Sequence, residues 1–182
     1  MNIELSILDW IQTLHTPFLD KIMVFITRLG DAGIIWIVLS IVLLLIPKTR
    51  KSGAVMVAAL VVDVLLCNIV LKNLVARTRP YDVNTGVHLL VEKLHDYSFP
   101  SGHTYASFAS STAILRDNRR FGIPALILAA LIAFSRLYLY VHYPTDVLGG
   151  VLAGAISGYL GYRFIQAIFY RIKQEGGGPC PK

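Results

Sequence analysis

The 182 residues suit one compact domain, but 55% of them are hydrophobic, mean hydropathy is +0.61, and the apolar residues are massed into long blocks that point to a bilayer. The net charge of +6 does not argue for a nucleic-acid partner, because most of the basic excess falls in a few short loops where it anchors the chain. The two cysteines exclude little: Cys67 falls inside an apolar block and Cys180 in the tail, so neither a disulfide nor metal-ligand spacing is expected.

In residues 1–30, Ile3, Ile7, Leu8, Ile11 and Leu14, then Phe18, Leu19, Ile22, Met23 and Ile26, recur at helical spacing. Glu4, Asp9, Asp20, Lys21 and Arg28 break any long apolar run, so this stretch reads as an amphipathic helical segment lying in the membrane interface. It lacks the basic start, compact apolar run and small-residue cleavage site of a secretory signal. A helix needs roughly 20 apolar residues to cross the hydrocarbon core. Five stretches approach that length with help from flanking residues: 32–46, 53–71, 103–115, 121–135 and 145–168. The expected fold is therefore all-α, a polytopic membrane helical bundle of about five transmembrane helices. It forms a single domain over 1–173, with 31–173 as the bundle, and 174–182, rich in Gly and Pro, is a flexible tail.

Lys48, Arg50 and Lys51 follow the first stretch, Arg116, Arg119 and Arg120 the third, and Arg171, Lys173 and Lys182 the fifth. With five spans these ends share one face, cytoplasmic by the positive-inside rule. The N-terminus, the loop 73–100 and the turn 137–144 then lie outside. Lys72, Arg77, Arg79, Lys93 and Arg136 are basic residues at that outer side and need another reason for their position.

Three polar clusters supply one. Lys72 and Arg79, followed by Pro80, would stand on one helix face about two turns apart if the helix persists, a point charge and a planar fork suited to phosphate oxygens. Snorkelling charges at a helix end are the plain alternative. Pro100-Ser101-Gly102-His103 opens an apolar helix, whose first N–H groups can receive an anion while Gly102 permits close approach and His103 adds a titratable ring. An ordinary Ser-capped helix start is the simpler reading of that segment alone. Ser135-Arg136, His142 and Asp146 form the third cluster, with Pro144 at a helix start. Asp146 can accept a hydrogen bond from one ring nitrogen of His142 and so free the other for attack. It can equally serve only to complement the helix dipole. The topology brings all three clusters to one side.

The pattern Lys72-x6-Arg79-Pro80, Pro100-Ser101-Gly102-His103 and Ser135-Arg136-x5-His142-x3-Asp146 resembles the signature of the type 2 phosphatidic acid phosphatase superfamily, small integral-membrane lipid phosphatases. The resemblance implies that His142 is the nucleophile forming a phosphohistidine, that Asp146 orients it and that His103 protonates the leaving oxygen. Lys72, Arg79, Ser101, Gly102 and Arg136 would hold the phosphate, with no metal or other cofactor. The partners implied are a membrane lipid phosphate and the phospholipid bilayer. Undecaprenyl diphosphate is favoured over phosphatidylglycerol phosphate and phosphatidic acid, because carrier recycling calls for a site on the extracytoplasmic face of a bacterial plasma membrane. Many members have six spans, and here the N-terminal segment stands in for the first. The loop 81–99, with His88, Glu92, Lys93, His95 and Tyr97, would tune headgroup choice or simply connect. A soluble vanadium-dependent haloperoxidase resembles the same motifs but conflicts with the apolar stretches. A non-enzymatic membrane protein finds support in Asp63 and Asn68, polar residues inside the second stretch.

Overall fold

The computed structural model describes residues 3–175, apart from the side chains at positions 68, 69, 173 and 175. The described residues are helical with no strand. They comprise α1 (Ile3–Gln12), α2 (Pro17–Leu29), α3 (Ile34–Leu45), α4 (Arg50–Asp63), the short α5 (Lys72–Val75) and α6 (Pro80–Val83), α7 (Gly102–Asp117), α8 (Arg119–Tyr138) and α9 (Pro144–Glu175). The last helix therefore runs into the segment expected to be a tail, whose remainder, with Cys180 and Lys182, lies outside the described residues.

α7 is the centre of the bundle, packed against α4, α8 and α9. Its small residues make that position possible: Ala106, Ala109, Ala113, Ser107, Ser110 and Ser111 are all buried. On α9, Gly154 and Gly158 lie one turn apart against this face. A Cβ at Gly154 would come within 2.5 Å of the Tyr105 carbonyl oxygen, and one at Gly158 within 2.3 Å of that of Ala109. Small residues that let helix backbones approach are a common means of helix association where lipid supplies no hydrophobic drive. The opposite face of α9 exposes Leu148, Leu152, Ile156, Leu160 and Phe164 at every fourth position, a stripe that suits acyl chains.

By length and hydropathy, two helical stretches among the described residues can cross a membrane unaided, Pro47–Val83 and Arg119–Tyr138. A third crossing follows if Pro17–Leu29 and Asp31–Leu45, bent by 47°, count as one. The five expected stretches are all helical. α7 and α9 are not among these crossings; α7 is 16 residues long and serine-rich, which burial among its neighbours permits. The first two basic ends share one face: Lys51 Nζ lies 2.9 Å from Asp117 Oδ1 and Ser52 Oγ donates to Asp117 Oδ2 at 2.6 Å, joining the turn before α4 to the end of α7.

The N-terminal 30 residues are two helices with different neighbours. α1 buries Leu8 and Ile11 against Tyr138, Leu139, Tyr140, Val141 and Tyr143, while α2 runs along α8 and leads into α3. Thr16 caps α2 by accepting from Leu19 N at 3.2 Å. Hydrogen bonds pin both helices to the turn after α8: Gln12 Nε2 donates to the Tyr138 carbonyl (2.9 Å), Tyr138 to Asp20 (2.6 Å) and Tyr140 to Asp9 (2.7 Å). The amphipathic faces of these helices thus have protein as well as interface to cover them.

Candidate active site

The chain between α4 and α6 does not persist as the α-helix that would stand Arg79 over Lys72. Val64–Leu71 winds as a π-helix, α5 ends at Val75, and Ala76 takes a left-handed conformation (φ 47°), so Arg79 sits in extended backbone. Lys72 and Arg79 are therefore not stacked on one helix face. They meet instead at Asp96. Lys72 Nζ donates to Asp96 Oδ2, and Arg79 Nη2 donates to Asp96 Oδ1 at 2.6 Å while Arg79 Nε donates to the Asp96 carbonyl at 2.9 Å. Burial opposes ionisation of this carboxyl, but the Lys72 and Arg79 contacts outweigh it and hold it down at about 2.

The π winding has a second effect. At α-helical pitch, nine residues lie about two and a half turns apart and on opposite faces. The wider π turn, closed five residues along rather than four, brings Asp63 and Lys72 to the same side. Both line a cavity of about 270 Å³ together with Arg79, Asp96, Gly102, His103 and His142. Asp63 is buried, and its Oδ1 has no hydrogen-bond partner among the described residues. The Asn68 side chain lies outside the described residues.

His142 is presented by a tight turn after α8, where Tyr140 adopts φ 60° and Val141 N donates to the Arg136 carbonyl at 3.2 Å. Its Nδ1 lies 2.8 Å from the Ser98 carbonyl oxygen, which can only accept, so the proton is on Nδ1. Nε2 then carries the lone pair, and Arg79 Nη1 approaches it at 3.3 Å while also donating to the Val141 carbonyl at 2.8 Å. Burial pushes the His142 imidazole down to about 3, with Asp146 opposing the shift and the charges of Arg136 and Arg79 adding to it. The ring is accordingly neutral at physiological pH.

Asp146 is placed differently from expectation. Its Oδ2 stands 3.6 Å from His142 Nδ1, too far for a hydrogen bond, because closer approaches are taken by Ser98 Oγ (2.5 Å) and Tyr143 N (2.9 Å). Oδ1 accepts from Arg77 Nη1 at 2.6 Å. Arg77 in turn donates to Glu4 of α1 at 2.5 Å and lies over the Tyr143 ring. Asp146 thus secures Ser98, whose carbonyl sets the tautomer.

Ser101 precedes α7 without a side-chain cap. Fully buried, it donates its N–H to the Asp146 carbonyl (3.1 Å), and its hydroxyl accepts from Thr104 (3.0 Å). Gly102 and His103 reach the cavity, and Ser101 lies behind it. His103 Nε2 pairs with Asp31 Oδ1 at 2.8 Å across the bend between α2 and α3. Gly30 makes room for the ring, since a Cβ there would come within 2.8 Å of His103 Cδ2. Arg136 is buried, donates to Thr27 Oγ1 and lines an adjoining cavity of about 600 Å³ with Asp31, Leu89, Leu90, Val91, Glu92 and Leu94.

Of the expected site residues, Lys72, Arg79, Gly102, His103 and His142 share the first cavity, Arg136 the second, and Ser101 and Asp146 stand behind. The sequence reading missed Asp31, Asp96, Ser98 and the role of Arg77. Only Arg77 left a signal, as an unexplained outer cation. Among the described residues no three His, Cys, Asp or Glu side chains are grouped so as to hold a metal ion.

A family model described as the PAP2 superfamily matches residues 52–170. The chain belongs to the PAP2 superfamily. Within it, the chain is 38% identical over 154 residues to the undecaprenyl-diphosphatase BcrC of Bacillus subtilis, covering 82% of this chain and 77% of the relative. Its fold is similar to that of a PAP2-type phosphatidylglycerolphosphate phosphatase from Bacillus subtilis (TM-score 0.74, 28% identity, 91% of this chain and 86% of that one). It is also similar to Aquifex aeolicus LpxE (TM-score 0.78, 29% identity, 90% and 96%). The residues of the PAP2 match span α4 through most of α9, and so all three clusters.

Proposed function

We propose that the chain is a metal-independent membrane lipid phosphatase that removes the terminal phosphate of a lipid phosphate or diphosphate, with undecaprenyl diphosphate as its substrate. The observation that carries this reading is the geometry of His142: a buried neutral ring, protonated on Nδ1, with Nε2 facing Arg79 at 3.3 Å in a cavity that also holds Lys72, Gly102 and His103.

Phosphate oxygens lie among Lys72, Arg79 and the first N–H groups of α7, with the charge of Arg136 close by, where fixed positive groups stabilise the transition state. His142 Nε2 attacks phosphorus, the bond to the lipid oxygen breaks, and His103 gives that oxygen its proton. Water then attacks the phosphohistidine; His103 takes the water proton, the P–N bond breaks, and inorganic phosphate leaves. Asp31 connects His103 to solvent, being 54% exposed on its side chain.

The site faces the extracytoplasmic side of a bacterial plasma membrane in this reading, supported by the basic loops gathered at the far end of the bundle. The name of BcrC supports undecaprenyl diphosphate; that of the similar Bacillus subtilis structure supports phosphatidylglycerol phosphate as the second reading. Phosphate release by the purified chain from undecaprenyl diphosphate, phosphatidylglycerol phosphate and phosphatidic acid in mixed micelles decides between them. The highest kcat/KM is expected on the first, a preference for the second selects the other reading, and no release from any overturns the assignment. Activity is expected to survive EDTA, and strict dependence on an added divalent ion would remove the metal-free mechanism.

A further inference from the structure

Arg79 and Lys72 line the cavity that holds His142, Arg79 at its Nε2, and both are held by one carboxylate. Asp96 offers one oxygen to each, so it takes on these side chains the positions a phosphate oxygen would need. The carboxyl is ionised at any working pH, since it is held at about 2. Asp96 is only partly enclosed. Its side chain is 47% exposed, it belongs to the loop before α7, and beyond it lies a cavity of about 390 Å³ lined by Lys72, Asn73, His95, Asp96 and Tyr97. The carboxylate therefore stands between an inner cavity that holds the histidines and an outer one with room to receive it.

We infer that Asp96 is an internal competitor for the phosphate site: substrate phosphate binds by exchanging with the Asp96 carboxylate on Lys72 and Arg79, and the carboxylate turns toward the outer cavity. The inference rests on the phosphatase reading of the site. The exchange favours phosphate because a phosphoryl group carries three oxygens, enough to engage both cations and the N–H groups at the start of α7 together, whereas the carboxylate has two. Arg79 stays in position when the side chain of Asp96 leaves, because backbone carbonyls of Asp96 (2.9 Å), Val141 (2.8 Å) and Tyr97 (3.3 Å) also hold its guanidinium. Asp96 thus sets how tightly the site holds any phosphate, product included, without anchoring the arginine.

The test is the direct binding of orthovanadate, a phosphate mimic, to the purified full chain in detergent, measured by calorimetry for wild type, Asp96→Asn and Asp96→Ala. If the carboxylate leaves the cations free in about one molecule in ten, removing it tightens vanadate binding about tenfold. KM for the lipid substrate and the vanadate concentration for half-inhibition should fall in parallel. Unchanged or weaker vanadate binding in both variants overturns the inference and makes Asp96 a structural support for the two cations. A wild-type chain that binds vanadate but releases no phosphate from the lipid panel removes the phosphatase reading instead, and the binding comparison still decides the role of Asp96.

Discussion

His142 reaches the cavity from a turn in which the surrounding polar atoms are tied down, whereas His103 reaches it from a helix start joined to an exposed carboxylate. The first ring is 2% exposed and anchored by the Ser98 carbonyl, itself held through Asp146, Arg77 and Glu4. The second is paired with Asp31 at the bend between α2 and α3. A group that must attack along one line gains from rigidity, and a group that must exchange protons gains from contact with water. The two sides of the cavity suit the different parts that the proposed mechanism gives them.

The strongest way to break the comparison is to remove each ring. His142→Ala should lower kcat by about 10³-fold or more and abolish acid-labile phosphate labelling of the protein. His103→Ala should lower kcat by about 10²-fold to 10⁴-fold. Correctly folded variants with near wild-type phosphate release would refute these roles. Asp146→Ala comes next, with a loss of about 10²-fold, because it loosens Ser98 and so lets the nucleophile drift; an equal loss in KM alone would show that Asp146 acts on binding instead. Asp31→Asn keeps an acceptor for His103 but removes the charge, and should cost about tenfold, a fraction of what a general acid contributes. That loss should be larger for phosphatidic acid, whose leaving alkoxide needs a proton, than for p-nitrophenyl phosphate, whose leaving oxygen needs none; equal losses would make Asp31 merely structural.

The smallest effect concerns stability. An unfolded imidazole takes up its proton near about 6.5, whereas folded His142 does so only near 3. Fewer protons are bound folded than unfolded within that window, so stability falls as pH drops through it. Thermal unfolding in detergent between about pH 6.5 and 4 should show a shallower loss for His142→Gln than for wild type. Matching slopes would mean that other groups govern the acid response.

The three clusters and their meeting on one side were legible because polar residues at the ends of apolar stretches are conspicuous and helix direction alternates. Asp31, Asp96 and Ser98 were not legible: a lone Asp or Ser in a polar loop looks the same whether it faces water or a partner far away in the chain, and no periodicity separates the cases. The left-handed turn at Ala76 was hidden for a different reason. Alanine is the best helix former, so Ala76 gave no sign of its left-handed conformation, which tertiary context imposes. The expected number of spans relied on apolar length, a guide that weakens for α7, where neighbouring helices stand in place of lipid.

The widened stretch from Val64 to Leu71 leaves the wall of the cavity adjustable in a way no ordinary helix would be. Loss of a single residue within it can be absorbed by tightening the coil, and since residues eight apart at α-helical pitch share one side, Asp63 and Lys72 would both stay in the wall. That wall can therefore tolerate a deletion that an ordinary helix, turned by about 100° for each residue lost, could not.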